Sequence, residues 1–148
     1  MRNFLLLVGC LPWVTTMAQS IYDIVTAADD LTTLAAVLRL TPNVVNIFNS
    51  SVSVTFFAPV DRAFANFDPR FLEPEWNLHL QTIIGFHGVR GVFNSSELIN
   101  GRTLNLGSPD AINITVNENG TFLETGRQEP VQVVDVDDVA VNGVLHRI

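Results

Sequence analysis

The stretch of sequence that decides the fold is residues 54–64, which read VTFFAPVDRAF. The β-branched and aromatic residues at its start lie between Ser and Pro and predict a strand over residues 52–58. Because successive side chains of a strand point to opposite faces, we expect this one to be half-buried. Pro59 ends it, since proline cannot donate a backbone hydrogen bond. Asp61 then predicts a short helix over residues 61–67, with its carboxylate capping the free N–H groups of that helix.

Three short helices are predicted before this strand. Ser20 opens the first, and Asp23 three residues later completes a capping box. The second helix carries apolar residues at helical spacing, namely Leu31, Leu34, Ala35 and Leu38. Asp29 and Asp30 precede it and are candidates to cap it. Thr41–Pro42 ends that helix and starts the third, with Thr41 as N-cap and proline at the first position.

After the strand, the hydrophobic pattern changes from helical spacing to alternation. A helix is predicted over residues 75–86 by the spacing of its apolar side chains, and one helical turn is predicted over residues 96–99. From residue 102 onward short strands are predicted at 103–106, 111–116, 120–124, 130–135 and 144–148. Helices followed by strands predict an α+β domain and not a repeated βαβ unit.

The composition excludes several classes of protein. The chain has 148 residues, which is the length of one domain, and 47% of them are hydrophobic, which is enough for a packed core. All eight basic residues are Arg, and the net charge is −7. A P-loop enzyme and a Schiff-base enzyme each need a Lys, and a nucleic-acid-binding protein normally has a basic excess. The single Cys excludes an intrachain disulfide and a thiolate zinc site.

Residues 1–18 are predicted to be a secretory signal peptide. Arg2 supplies a positive start, an apolar run covers residues 4–14, and the small residues Thr16 and Ala18 form the cleavage site. The apolar run is too short for a membrane span, which needs roughly 20 residues. The mature domain is therefore expected to be residues 19–148, without any cysteine.

Four Asn-x-Ser/Thr sequons follow, at Asn49, Asn94, Asn113 and Asn119. Each can accept an N-glycan only on an exposed segment of a secreted chain. Together with the signal peptide, they predict a glycoprotein of the secretory route.

Three motifs in order resemble those of the fasciclin (FAS1) domain family. Residues 54–64 resemble its first signature, Phe86-His87 after an apolar helix resembles its Tyr-His motif, and residues 142–148, NGVLHRI, resemble its second signature. The signature positions that suit the fold are Phe57, Ala58, Pro59, Asp61, Phe64, Asn142, Gly143 and His146. The resemblance covers residues 20–148 and implies a wedge of short strands packed with several helices. In the second signature, Asn142-Gly143 is expected to supply the positive φ of a tight hairpin.

The family resemblance implies a role in cell adhesion or in matrix or cell-wall association. Its adhesion regions correspond here to Phe86, His87, Asp137 and Asp138, and we expect these residues to form one exposed face. In the family an Asp-Ile pair often stands just upstream of the second signature. Here Asp138 takes the place of the Ile, which keeps an acidic patch but removes the apolar residue of that pair. The expected partners are extracellular matrix or cell-surface proteins, or glycans. Family members usually continue past the strand of the second signature, so the last strand is expected to be incomplete at Ile148.

The remaining histidine, acidic and aromatic residues each have a simple structural interpretation. His79, His87 and His146 lack zinc-binding spacing, and each is expected to be a partly buried histidine with its hydrogen bonds satisfied. Asp135, Asp137 and Asp138 could bind calcium, but a solvated acidic edge is the simpler account. The aromatic residues Phe64, Phe67, Phe71, Trp76 and Phe86 suggest either core packing or a binding groove.

Two hypotheses follow. The first is a secreted, non-enzymatic adhesion or matrix domain, free or attached to a cell surface or cell wall, without a metal, a cofactor, a nucleic-acid partner or a transmembrane span. The second is an extracellular binding module for a small apolar or glycan ligand in a cleft between the helices and the sheet.

Overall fold

The computed structural model describes residues 18–105, 111–126 and 128–148. Most of the predicted signal peptide, and Leu106 of one predicted strand, lie outside the described residues. Within them the helices are α1 Ile21–Ala27, α2 Thr32–Leu40, α3 Pro42–Phe48 and α4 Asn77–Gly85. The strands are β1 Val54–Ala58, β2 Gly88–Arg90, β3 Thr103–Asn105, β4 Ala111–Asn117, β5 Gly120–Glu124, β6 Val131–Gln132, β7 Asp135–Ala140 and β8 Gly143–Arg147.

The strands form two four-stranded sheets, and the predicted α+β class is confirmed. The first sheet has the order β2-β1-β8-β7, and the second has the order β3-β4-β5-β6. Strand β1 pairs parallel with β8 and antiparallel with β2, so residues more than 80 positions apart meet at the centre of the molecule. The second sheet is antiparallel throughout its described pairs.

Strand β1 is buried along its whole length, so the prediction of a half-buried strand was wrong. Val54, Phe56 and Ala58 pack against the helices in one apolar cluster. Phe57 points the other way, into a second cluster with residues of the second sheet. Thr55 is also buried, and its hydroxyl donates to the Gly91 carbonyl and accepts from the Phe93 N–H. The alternation of side chains is present, but both faces are covered.

Asp61 caps a helix, although not the one that follows it. The short 3₁₀ helix Asp61–Phe64 begins after Val60 and has no side-chain cap. The Asp61 carboxylate instead accepts from the N–H of Thr33 at 2.7 Å and from the hydroxyl of Thr32 at 2.7 Å, at the start of α2. Burial alone would raise the pKa of Asp61, but these hydrogen bonds outweigh it and hold that pKa below its ordinary 3.8. The predicted capping of α2 by Asp29 or Asp30 was therefore wrong.

The other predicted helix starts are mostly confirmed. Ser20 and Asp23 form the predicted capping box of α1, and Pro42 is the first residue of α3. Thr41 precedes α3 but does not cap it, because its hydroxyl donates back to the last turn of α2. The helix predicted over residues 75–86 is divided into a 3₁₀ turn at Pro74–Trp76 and α4.

Two strands of the first sheet were not predicted. Strand β2 has three residues and begins at a glycine, which leaves no alternating pattern. Strand β7 carries three aspartates, and a bulge between Asp135 and Asp138 interrupts its register. Of the strand predicted over residues 130–135, only Val131–Gln132, which form β6, and Asp135, which begins β7, lie in strands. Polar composition and a bulge both hide a strand from a period-two pattern.

Gly143 has the predicted positive φ, but it lies just after the turn between β7 and β8 and not within it. Ala140 pairs with Gly143, so the turn residues are Val141 and Asn142, and Gly143 is the first residue of β8. Its φ is +153°, and a Cβ there would lie 1.8 Å from the carbonyl oxygen of Val54. Glycine is thus required here both by the positive φ and by the close approach of β1. Asn142 is buried, and its side-chain amide accepts from Ile21 N–H and donates to the Phe48 carbonyl.

No helix in the described ranges is both long and apolar enough to cross a bilayer.

Candidate functional site

Phe86 and His87 lie where α4 ends and β2 begins. Phe86 is 45% exposed, although it is a large apolar residue. His87 is half-buried, and its Nδ1 lies 2.8 Å from the carbonyl oxygen of Ile83. A carbonyl oxygen can only accept, so Nδ1 carries the proton and Nε2 is left as an acceptor. Burial lowers the pKa of His87 below its ordinary 6.5, which keeps the ring neutral.

A cleft of about 420 Å³ opens beneath these two residues. It lies between the end of α4 and the second sheet. Its buried lining residues are Phe57, Ile112 and Leu123, and its exposed apolar residues are Ile83, Phe86 and Val131. Its polar side is formed by Thr125, Gln128 and Glu129. An apolar cleft of this size with a few polar groups is the usual form of a small-ligand site, which spans roughly 300–1,000 Å³.

Asp137 is held by internal hydrogen bonds at the bulge of β7. Its φ of +65° is the only positive value among the described residues other than glycine. Its carboxylate accepts from the N–H of Ser95 at 2.7 Å and from the Ser95 hydroxyl. The Ser95 hydroxyl is the main reason that the pKa of Asp137 lies below its ordinary 3.8. Its carboxylate is thus committed to the 95–97 turn.

His146 is fully buried beside this bulge. Its Nδ1 accepts from the N–H of Asp137 at 3.2 Å, and its Nε2 donates to the carbonyl of Phe93 at 2.7 Å. Its ring packs against Phe57, with ring centroids 5.6 Å apart. Both ring nitrogens are occupied, so His146 joins β8, β7 and the 93–95 loop.

Asp138 faces a third set of contacts, centred on Arg147. The guanidinium of Arg147 contacts the carboxylates of Asp138, Asp135 and Asp30, the last two at 3.1 Å. Its side chain is 15% exposed. Asp135 and Asp138 therefore form ion pairs with Arg147. Across the described part of the chain, no group of three or more His, Cys, Asp or Glu side chains is arranged to hold a metal ion.

The structure does not bring the two predicted adhesion regions together. Phe86 and His87 lead into β2, whereas Asp137 and Asp138 lie on β7. These strands are the two opposite edges of the first sheet, with β1 and β8 between them. The four residues thus define two separate regions and not one face.

The remaining histidine and the aromatic group are placed as follows. His79 is exposed, so the prediction of a partly buried histidine was wrong for it, and its ring centroid lies 5.3 Å from that of Trp76. Four of the five aromatic residues form a continuous ladder with centroid distances of 5.3 to 5.6 Å, namely Phe64, Phe67, Phe71 and Trp76. Phe64 and Phe67 pack against the helical core, which confirms core packing for them.

All four sequon asparagines are exposed. Asn49 ends α3, Asn94 precedes the 95–97 turn, Asn113 lies within β4, and Asn119 lies in the β4–β5 turn. Exposure meets the condition stated for glycosylation at each of them.

Sequence reasoning missed Ser95 and Arg147 as partners of the acidic residues. Ser95 was counted only as part of a sequon, and no local pattern links it to Asp137, which is 42 positions away. Arg147 lies in the second signature, so that motif was the available signal. The cleft residues Ile112 and Leu123 carried no signal beyond strand alternation.

Comparisons with known proteins agree with this architecture. A solved structure of a FAS1 domain pair from the insect cell adhesion molecule Fasciclin I matches with a TM-score of 0.73 at 13% sequence identity. The match covers 87% of this chain and 49% of that chain, so this chain spans about half the length of the solved pair. No curated protein matches the chain. The Fasciclin domain model matches residues 29–148, and the chain therefore belongs to the Fasciclin domain family.

Proposed function

We propose that this chain is a secreted, non-enzymatic adhesion or matrix-association domain that acts by low-affinity contacts with extracellular proteins or glycans. Membership of a family of adhesion modules supports the class of function. The observation that carries the site is the exposure of Phe86, at 45%, beside the half-buried His87 and an open apolar cleft. Exposed aromatic side chains next to a concave apolar surface are typical anchors of protein contacts.

The acidic region is the weaker of the two proposed contact regions. Asp137 and Asp138 are each half-buried, and their carboxylates are bonded to Ser95 and Arg147. A partner would have to compete with these internal bonds. We therefore propose Phe86 and His87 as the principal contact, with Asp137 and Asp138 as a second contact at the opposite edge.

Residues 1–18 are proposed to be removed on secretion, and the four exposed sequon asparagines to carry N-glycans. Expression of the full chain in a secreting eukaryotic cell tests both. N-terminal sequencing of the medium protein should begin at Gln19, and peptide-N-glycosidase treatment should increase its gel mobility. Retention inside the cell without glycan would contradict the proposal.

The adhesion test compares cell attachment to immobilised wild-type protein and to variants. Phe86→Ala should reduce attachment, whereas Leu78→Ala should not, although Leu78 is 72% exposed on α4, the helix that Phe86 follows. An Asp137→Ala/Asp138→Ala variant measures the second contact. Equal attachment by Phe86→Ala and wild type, with both folded, would sink the site assignment.

The cleft supports a second candidate function, a binding module for a small apolar or glycan ligand. Its lining is mostly apolar and its size suits such a ligand. A thermal-shift screen tests this candidate, because a ligand that binds only the folded chain raises the melting temperature by mass action. A screen without any shift would count against it.

A further inference from the structure

His87 is one of the residues that line the cleft, and the backbone fixes which of its ring nitrogens carries the proton. Its Nδ1 donates to the Ile83 carbonyl at 2.8 Å. Its Nε2 is therefore unprotonated and accepts, and it has no hydrogen-bond partner among the described residues. A buried or half-buried acceptor gains from a donor and loses if an apolar group covers it.

Most of the residues that line the cleft are apolar. Phe57, Ile112 and Leu123 are each at most 5% exposed and form the deep part of the cleft. Ile83, Phe86 and Val131 are between 39% and 45% exposed and form its edge. A planar or branched hydrocarbon group placed here would remove apolar surface from water on both sides, which favours binding.

The charge of the chain narrows the class of ligand. The net charge is −7, and Glu129 is the charged residue among the described residues that line the cleft. An anion would be repelled by this charge distribution. An ammonium group would have to leave its hydration among apolar side chains, and the Glu129 carboxylate compensates little for this cost because it is exposed to solvent at the rim of the cleft. A neutral hydroxyl avoids both costs.

We propose that the cleft binds a small, uncharged and largely apolar molecule that carries a hydroxyl group, with the hydroxyl donating to Nε2 of His87. This inference rests on the second candidate function and specifies its ligand class. Lowering of the His87 pKa by burial supports it, because the ring must be neutral to accept.

The test uses two probes of the same shape, 2-naphthol and 2-methylnaphthalene, titrated into the full chain with NMR detection. The hydroxyl should give 2-naphthol an affinity about two- to tenfold higher, the equivalent of one net hydrogen bond. His87→Phe keeps a ring in place and removes the acceptor, so it should bind both probes equally. Equal affinities for wild type would overturn the inference, and this result does not depend on the variant folding.

Two valine substitutions locate the binding. Val131→Trp should fill the edge of the cleft and weaken both probes. Val139→Trp is the matched control, since Val139 is 74% exposed on β7 at the far edge of the first sheet. If Val131→Trp and Val139→Trp bind the probes alike, the binding lies elsewhere and the inference fails.

The outcomes separate the inference from the candidate function beneath it. Binding of both probes with equal affinity, lost in Val131→Trp, would leave the cleft as a ligand site and refute the hydroxyl preference. Binding of neither probe would refute both.

Discussion

His87 and His146 lie on either side of Phe57 and differ in how their neighbours use them. The Phe57 N–H donates to the His87 carbonyl, and the Phe57 ring packs against His146. His146 is fully buried with both nitrogens bonded inside the chain. His87 is half-buried with one nitrogen bonded and one facing no described partner. His146 therefore connects parts of the chain through its hydrogen bonds, whereas His87 keeps one ring nitrogen that can accept a hydrogen bond from a ligand.

The same contrast holds for the regions around them. The region of His146 joins a bulged strand, a central strand and a loop through Asp137 and Ser95. The region of His87 leaves Phe86 exposed over an apolar cleft. The two histidines therefore differ in exposure and in how many ring nitrogens bond within the described residues, although both lie in motifs of the same family.

The largest expected effect that sharpens this contrast is that of His146→Phe on stability. The substitution keeps a ring of similar size but leaves the Asp137 N–H and the Phe93 carbonyl without partners. Each unpaired buried group costs about 1–3 kcal/mol, so the free energy of unfolding should fall by about 3 kcal/mol. Urea unfolding measures it. A loss no larger than that of His87→Phe would show that the two histidines do not differ as described.

A smaller effect is expected from Ser95→Ala, which removes the hydroxyl bonded to Asp137. The free energy of unfolding should fall by about 1 kcal/mol, the usual value for one hydrogen bond. Because that hydroxyl is the main cause of the lowered pKa of Asp137, this pKa should rise toward 3.8. NMR titration of the Asp137 carboxyl checks it, with Ser96→Ala, an exposed neighbour, as the control. An unchanged pKa of Asp137 in Ser95→Ala would show that the Ser95 hydroxyl does not stabilise the Asp137 carboxylate at the β7 bulge.

The smallest effect concerns the dependence of stability on pH through His87. Because burial lowers its pKa, the unfolded chain takes up the proton at a higher pH than the folded chain. Wild-type stability should therefore fall as the pH drops from 6.5 through the lowered pKa of His87. His87→Phe should lack this dependence and lose only about 1 kcal/mol at neutral pH.

Unfolding of both proteins at several pH values measures this difference. The lowered aspartate pKa values of Asp23, Asp61 and Asp137 act below 3.8, so their window is separate. The same pH dependence in wild type and His87→Phe would contradict the role given to His87.

The sequence predicted the parts of the fold whose cause is local. The capping box at Ser20 and Asp23 and the proline start of α3 depend on residues within one turn, and both are confirmed. The central strand was predicted from its own residues, because β-branched and aromatic side chains favour extended backbone. Strands β2 and β7 escaped prediction since their pairing comes from β1 and β8 and not from their own composition.

The candidate site shows the same division. The sequence alone pointed to Phe86, His87, Asp137 and Asp138, but it could not show that β2 and β7 are opposite edges of one sheet. That order depends on β8 inserting between β1 and β7, which is a contact between distant parts of the chain. Nor could spacing reveal that Ser95 and Arg147 already occupy the acidic side chains.

By itself, the sequence determined which residues can cap, turn, extend or accept, because those abilities belong to the side chain and its nearest neighbours. The tertiary structure alone decided which partner each residue meets. Asp61 had to cap a helix, and the packing of α2 beside it selected that helix. Gly143 had to be small, and the reason is the carbonyl of Val54 lying against it from β1. His87 and His146 could each donate and accept. Neighbours from other parts of the chain bond both ring nitrogens of His146, whereas only Nδ1 of His87 has a partner among the described residues.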